Sequence, residues 1–186
     1  MSAPGFPAAR LDRIARLHAL AAGLPGCAVL ETVLDAPFDR VWDWVSDLER
    51  SVPAFDSDVA DLRVLRRQPL PGDTGDTGDT GDAGERLLVR SRSSANALWL
   101  RTLFDVDLAP GWCWMTTRPQ AYIVGMAAEP DGDRTRFAQL EGVGIDAPGP
   151  VQLLVRPVLA LSRWRHHRHV PHDLAAIARL VGELGD

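Results

Sequence analysis

A strand followed by two short helices is encoded around residues 31–55, which read ETVLDAPFDRVWDWVSDLERSVPAF. The run Cys27–Leu34 alternates like a strand, with Ala28, Leu30, Thr32 and Leu34 on one face. Residues 35–37, Asp-Ala-Pro, begin a helix, because a capping Asp followed shortly by Pro is a good helix N-terminus. The apolar side of this helix consists of Phe38, Val41, Trp42 and Val45. A second helical turn is predicted over Asp47–Val52, ending at Pro53.

The segment before this strand predicts a tail and one helix that packs on the main domain. Its apolar positions recur at helical spacing, and Gly23, Pro25 and Gly26 end the run; the recurring residues are Leu11, Ile14, Leu17, His18 and Ala21. We therefore expect an N-terminal tail and helix over residues 1–26 and a single domain over residues 27–186.

After Phe55 the apolar pattern changes to a period of two, which is typical of strands. Turn signals such as Pro110-Gly111 separate the apolar runs, so sequential strands form an antiparallel meander. The six predicted strands are Val59–Arg67, Arg86–Ser94, Leu98–Leu108, Trp112–Arg118, Ala121–Glu129 and Thr135–Ile145.

A long helix is predicted over residues 151–184, after Pro148, Gly149 and Pro150 end the sheet. Its apolar stripe runs through Val170, Leu174, Ile177, Val181 and Leu184. Pro157 and Pro171 are expected to interrupt or kink it.

A low-complexity repeat, GDTGDTGDTGDAG, occupies residues 72–84. An Asp recurs at every third position, but this spacing matches neither an EF-hand loop nor the nonapeptide calcium repeat. Because the segment has no apolar anchor, we expect a flexible loop and not an active site.

Composition excludes several classes of function. The 186 residues are 46% hydrophobic and 24% charged, which is ordinary for one globular domain. The net charge of -5 argues against a protein that coats nucleic acid in general, and we expect no specific nucleic-acid partner. All 20 basic residues are Arg, so Schiff-base chemistry, pyridoxal phosphate attachment and a Walker lysine are excluded, and we expect no cofactor.

The cellular setting is predicted from what the sequence lacks. Two cysteines, Cys27 and Cys113, are too few for a disulfide framework or a metal knuckle. We find neither a signal-peptide pattern nor an apolar stretch of membrane-span length. The expected localisation is therefore cytoplasmic.

The order of strand, two short helices, six-stranded meander and long helix is the helix-grip arrangement. With the quoted residues 31–55 and the Gly132…Thr135-Arg136-Phe137 start of the last strand, the chain resembles the START-like (SRPBCC) superfamily, in its bacterial polyketide cyclase/dehydrase-like branch. The resemblance implies an α+β helix-grip fold: a curved antiparallel sheet wrapped around the C-terminal helix, with an internal cavity. A hydrophobic small molecule binds in such a cavity.

Candidate cavity residues follow from strand alternation and from the family's inward-facing Thr-x-aromatic pattern. Thr135, Phe137, Gln139 and Glu141 share one face of the last strand. An inward Glu141 would serve as a general acid or hold a polar ligand atom. A shift of one residue would instead place Glu141 on the surface, and that alternative stays open at this point.

Three further candidates lie on the two preceding strands. Tyr122 and Met126 share a face, and the Tyr122 hydroxyl either orients a ligand or only accompanies a packed ring. Trp114 suits a flat ligand, although it is also ordinary core filling.

The segment 156–172 is rich in Arg and His and contains no acid. We predict that His167 faces the cavity, because it falls on the stripe through Val170 and Leu174. Zinc binding by His166, His167, His169 and His172 is not favoured, because Pro171 breaks the geometry and no metalloprotease motif is present. The other basic side chains either face solvent or form a basic face for peripheral contact with the acidic headgroups of a membrane or with RNA, and these alternatives stay open at this point.

Two functions remain. The first is binding or transport of a hydrophobic small molecule, such as a lipid, an isoprenoid quinone or a polyketide. The alternative is a polyketide aromatase/cyclase-like enzyme that uses acid and base groups of the cavity, but such an enzyme needs at least two convergent polar groups. The binding function is preferred.

Overall fold

The computed structural model describes residues 11–70, 84–94, 101–118, 121–144 and 149–183, with backbone only for residues 149–153. The helices are α1 (Arg13–Ala22), α2 (Phe38–Ser46), α3 (Leu48–Phe55) and α4 (Gly149–Glu183). The strands are β1 (Gly26–Leu34), β2 (Val59–Pro69), β3 (Glu85–Ser93), β4 (Arg101–Ala109), β5 (Trp112–Thr117), β6 (Tyr122–Asp131) and β7 (Arg134–Val143).

The strands form one antiparallel sheet in the order β1-β7-β6-β5-β4-β3-β2. Every sequential pair from β2 to β7 is a neighbour, as expected for a meander, and β1 closes the far edge by pairing with β7. This curved sheet with the long α4 confirms the predicted α+β helix-grip class.

The larger core lies between one face of the sheet and helices α2, α3 and α4. Alternation along the strands supplies its sheet side, because successive side chains point to opposite faces. Val106, Met115 and Val124 stand opposite one another across three strands and all face this core. Thr135 ties the sheet to the start of α2, since its hydroxyl donates to the carbonyl oxygen of Ala36 at 2.8 Å.

A smaller core covers the other face of the sheet, where α1 packs on β6, β7 and β1. Asp12 caps α1 by accepting a hydrogen bond from the Ala15 amide at 2.6 Å, and Ile14 and Leu17 are buried against the strands. The predicted N-terminal helix is therefore present, on the face away from α4.

The start of α2, at Pro37, and the end of α3, near Pro53, differ from what the sequence predicts. Pro37 is itself the N-cap of α2, and no side chain caps that helix, so Asp35 does not have the predicted role. Pro53 lies inside α3, which continues to Phe55.

Helix α4 also runs through both of its prolines, Pro157 and Pro171. Its buried residues follow spacings of three, four and seven, which keeps one stripe against the sheet. Among the described residues, no helix is long and apolar enough to cross a membrane.

The Asp-rich repeat predicted as a flexible loop lies, except for Gly84, outside the described residues. Its two flanks are joined, because the Leu70 amide donates to the Gly84 carbonyl oxygen at 2.8 Å. This hydrogen bond joins the residue after β2 to the residue before β3.

Candidate ligand cavity and its buried polar cluster

A cavity of about 480 Å³ opens between the sheet, the α3–β2 junction and the first half of α4. This volume lies within the range of small-molecule sites, roughly 300–1,000 Å³. Apolar walls are supplied by Val59, Phe104, Val158 and Leu161, and polar groups by Asp56, Asp58, Ser91, Ser162, Arg165 and His166.

A smaller pocket of about 50 Å³ continues inward from the same residues Asp56, Ser91 and Tyr122. It has room for about one or two water molecules. Its walls are mostly apolar, and the polar groups that line it belong to Asp56, Ser91, Tyr122 and Glu141. The cavity is therefore wide and partly polar at its mouth, and narrow and apolar within.

Strand β7 supplies the polar floor of the interior. Thr135, Phe137, Gln139 and Glu141 are all buried on its inward face, where alternation predicted them. Gly142 follows at a φ of 152°, and a side chain there would collide with the Gly26 backbone, so glycine is needed beside Glu141.

The carboxylate of Glu141 is 1% exposed and has two polar partners. The Gln139 Nε2 donates to Glu141 Oε1 at 3.2 Å, and His166 Nδ1 lies 3.3 Å from Glu141 Oε2. This carboxyl therefore satisfies the rule that a buried charge must find a donor.

The histidine beside Glu141 is His166, and the prediction of His167 is wrong. His167 is exposed, whereas His166 is buried. The buried stripe of α4 passes from Val170 back to His166 by four residues, and from there to Leu159 by seven. His167 was predicted because it lies three residues before Val170, whereas the buried stripe continues four residues before Val170.

The prediction of Trp114 as a cavity residue is also wrong. Trp114 stands opposite Asp107 and Gly125 in the sheet, and this row faces α1. The missing side chain of Gly125 leaves room for Trp114 and Leu17 to meet there. Trp114 also stacks on Trp112, with ring centroids 6.1 Å apart.

Tyr122, Met126 and Phe137 lie on the cavity side of the sheet. Met126 and Tyr122 line the inner pocket, and Phe137 is packed in the core beneath it. The Tyr122 ring lies against His166, with ring centroids 5.5 Å apart. Burial, aided by the charge of Glu141, raises the pKa of Tyr122, so its hydroxyl stays protonated and can donate.

Besides His166, three residues of this buried cluster were not predicted to lie beside the cavity: Asp56, His169 and Asp173. Asp56 is the C-cap of α3, and the other two are one turn apart on α4. His169 Nε2 lies 3.6 Å from Asp56 Oδ1 and 3.5 Å from Asp173 Oδ2. Gln139 Nε2 donates to Asp173 Oδ2 at 3.1 Å, which joins them to Glu141.

Burial and crowded charge make this cluster hold protons near neutral pH. Burial, with the charge of Glu141, raises the pKa of Asp56 to about 6 and that of Asp173 to about 7. Burial opposes the charged form of His169, but the surrounding carboxylates, Asp173 foremost, raise its pKa overall. The cluster can therefore take up and release protons beside the cavity.

The two cysteines are not activated nucleophiles. Burial, with the charge of Glu141, raises the pKa of Cys27 to about 11, and burial raises that of Cys113 to about 12. Both thiols therefore stay protonated, and it is the thiolate that acts as a nucleophile.

Comparison with protein-family models and with curated proteins finds no match. Solved structures do match. The 18 kDa protein CC1736 of Caulobacter crescentus is 15% identical, with a TM-score of 0.56 over 86% of this chain and 97% of that chain. The protein TTHA0849 of Thermus thermophilus is 16% identical, with a TM-score of 0.51 over 86% of this chain and 99% of that chain.

A protein described as a START superfamily member, from Mycobacterium smegmatis, is also 16% identical. Its TM-score is 0.51, and the alignment covers 85% of this chain and 98% of that chain. At such identities the likeness concerns the fold. The arrangement of seven strands around α4, which the sequence pattern suggested, is thus the START-like fold.

Proposed function

We propose that this chain binds a small molecule with an apolar body and a polar end in the cavity between the sheet and α4. Lipids, isoprenoid quinones and polyketides are the classes that combine these two properties. The observation that carries the proposal is the continuity of the roughly 480 Å³ cavity with an apolar inner pocket that ends at Glu141.

The bound molecule would place its polar end at the buried cluster. Glu141 and Tyr122 both border the inner pocket, and they offer an acceptor and a donor respectively. Substituting Glu141→Gln keeps the shape and removes the charge, so we expect weaker binding of a ligand with a polar end and little change in the fold.

Native mass spectrometry of the purified chain tests the proposal by detecting a molecule that co-purifies with it. Binding is then followed with phenylnaphthylamine, a neutral apolar fluorophore, in a cavity-blocking variant and in a matched control. Thr102 lines the cavity mouth on β4, whereas Thr116 on β5 shares the outward face with Trp114. We expect Thr102→Trp to lower affinity at least tenfold and Thr116→Trp to leave it unchanged; equal affinities would refute the proposed cavity.

We also propose that the first half of α4 contacts an anionic membrane surface. Leu154, Val158 and Leu161 form an exposed apolar stripe, and Leu154 and Leu161 are 77% and 63% exposed. The segment 154–172 contains four Arg and no acid. Apolar side chains flanked by arginines are typical of helices that lie on anionic bilayers, and this stripe borders the cavity mouth.

Co-sedimentation with phosphatidylglycerol-containing vesicles tests this contact. We expect binding that decreases with salt, is lost in pure phosphatidylcholine, and is weakened by Leu161→Ser. The control is Leu65→Ser, because Leu65 is an exposed leucine on β2, away from α4. Equal effects of the two substitutions would contradict a contact through α4.

The second candidate function is catalysis of cyclisation or dehydration in the same cavity. It is favoured by one observation, the carboxyls of Asp56 and Asp173 on either side of His169, with pKa values of about 6 and about 7. Incubation with a linear poly-β-ketone thioester tests it: loss of product formation in Asp173→Asn supports catalysis, and no product from the unmodified chain argues for binding alone.

A further inference from the structure

Three donor groups from distant parts of the chain meet at the inner end of the cavity. A carboxylate oxygen of Asp56, a carboxylate oxygen of Glu141 and a ring nitrogen of His169 all lie within 4.8 Å of one another. They come from the end of α3, from β7 and from α4. Separate rigid elements therefore hold the three groups together.

The members of this cluster do not satisfy one another by hydrogen bonding. His169 Nε2 lies 3.6 Å from Asp56 and 3.5 Å from Asp173, and both distances exceed a good hydrogen bond. A single ring nitrogen carries at most one proton, so it cannot serve both carboxylates. The 3.6 Å between His169 Nε2 and Asp56 Oδ1 is, however, close to the separation of roughly 3.3–3.6 Å between two ligand atoms bound to one zinc ion at about 2.0–2.2 Å.

Gln139 provides an independent indication of a ligand. It is fully buried, and its Nε2 donates to both Glu141 Oε1 and Asp173 Oδ2. Its Oε1 has no hydrogen-bond partner in the described part of the chain. Groups that hydrogen-bond to ligating carboxylates, as Gln139 does to Glu141, commonly surround metal sites. The buried, unpaired Oε1 shows that the polar groups of this interior are not fully satisfied by the described residues.

The charges of the cluster also favour a cation. Three carboxylates, those of Asp56, Glu141 and Asp173, share this interior, and their described side-chain partners are Gln139 and two histidines. Asp56 Oδ1 also accepts from the Asp58 amide at 2.8 Å, which adds no positive charge. No lysine occurs in the chain, and Arg165, at the cavity mouth, pairs with Asp58 instead. A bound cation would balance these buried charges.

We propose that Asp56, Glu141 and His169 bind one divalent transition-metal ion of the zinc type. The imidazole ligand selects against Mg²⁺ and Ca²⁺, which prefer oxygen ligands alone. Asp173 and His166 contact the ligands His169 and Glu141 and position them. Because Asp56 borders the cavity, the fourth position of the ion faces the space where a small molecule would lie.

This inference differs from the zinc hypothesis weighed on the sequence. That hypothesis paired the histidines of α4 with each other, whereas His167 and His172 are exposed and only His169 is a ligand here. The two carboxylate ligands lie 113 and 28 positions earlier in the chain, so no local motif reveals the set.

Titration of the EDTA-treated chain with Zn²⁺ and Co²⁺ tests the proposal. Isothermal calorimetry is expected to show one Zn²⁺ per chain, and Co²⁺ should give the visible absorption of a four- or five-coordinate ion. We expect Asp56→Asn and His169→Asn each to weaken Zn²⁺ binding at least tenfold. His167→Asn and His172→Asn, which change exposed histidines of the same helix, should leave it unchanged.

Three results would overturn the proposal. The first is no binding of Zn²⁺, and the second is equal binding of Mg²⁺. The third is Zn²⁺ binding that is lost in His167→Asn or His172→Asn but kept in Asp56→Asn, since surface histidines would then hold the ion. Far-ultraviolet circular dichroism of the metal-free variants establishes that they are folded, and the metal readout does not depend on phenylnaphthylamine binding.

Discussion

The substitution Asp173→Asn should make the stability of the metal-free chain less dependent on pH. The folded chain holds protons on Asp173, Asp56 and His169 more tightly than the unfolded chain does, because all three have raised pKa values. Stability contributed by such groups is complete below their unfolded pKa values and is lost as pH rises through the folded values. The unmodified chain should therefore be more stable at about pH 5 than at about pH 8.

The size of the effect follows from the burial of Asp173. Raising its pKa from 3.8 to about 7 corresponds to about 4 kcal/mol between the fully protonated and fully ionised limits. The cavity mouth admits solvent and the neighbouring carboxyls share protons, so we halve this value and expect about 2 kcal/mol. Asn cannot ionise, and its side-chain oxygen can still accept from Gln139, so Asp173→Asn should gain that stability at high pH.

Urea unfolding with EDTA present, at several pH values, measures this effect. At about pH 8 the variant should be more stable than the unmodified chain by about 2 kcal/mol. This difference should shrink to under about 1 kcal/mol at about pH 5 and vanish below the unfolded pKa of 3.8, where Asp173 is protonated in both the folded and the unfolded chain. Asp133→Asn is the control, because Asp133 is exposed in the β6–β7 turn. Two results would show that burial does not raise the pKa of Asp173. The first is an unmodified chain that is as stable at about pH 8 as at about pH 5. The second is an equal effect of Asp173→Asn and Asp133→Asn on stability.

Three substitutions test the fold around the site. Gly142→Ala should cost about 3 kcal/mol in the free energy of unfolding, because its φ is positive and the added carbon meets the Gly26 backbone; a cost under about 1 kcal/mol by urea unfolding would contradict this. Trp114→Ala should cost about 2 kcal/mol and expose α1 to limited proteolysis, while phenylnaphthylamine binding stays unchanged. Thr135→Val should cost about 1–2 kcal/mol, because the buried Ala36 carbonyl loses its donor; unchanged thermal unfolding would show that this bond does not matter.

Much of the fold could be predicted from sequence because its signals are local. Alternation of side chains located six meander strands, and Pro110-Gly111 marked a turn where Gly111 has a φ of 71°. Alternation also placed Glu141 and Gln139 on the inward face, since the Thr135–Phe137 start of the strand set the parity. The prediction for Trp114 was wrong because alternation within β5 does not say which face of the strand meets α4. The facing is set by the pairing of β5 with its neighbours, which places Met115 between Val106 and Val124.

The rest of the site depends on contacts between residues that are far apart in the chain, and no local sequence pattern predicts such contacts. Asp56 reaches Glu141 only because α3 packs against α4 and the sheet. The helix offered one usable signal: Leu159, His166 and Asp173 are spaced by seven, and such a repeat keeps residues on one face. Asp173 is polar, so its side chain does not belong to an apolar stripe and the sequence pattern did not predict its burial.

The pairing of β1 with β7 has a consequence for synthesis on the ribosome. Glu31 and Arg136, which join the two strands at 2.9 Å, are separated by 105 positions in the chain. The first strand is thus translated long before its partner, while β3 to β7 each pair with the strand made just before them. A nascent chain stopped before β7 presents β1 as an unpaired edge, which is a template for aggregation. Release of a folded molecule therefore depends on the last strand, the same strand that carries Glu141.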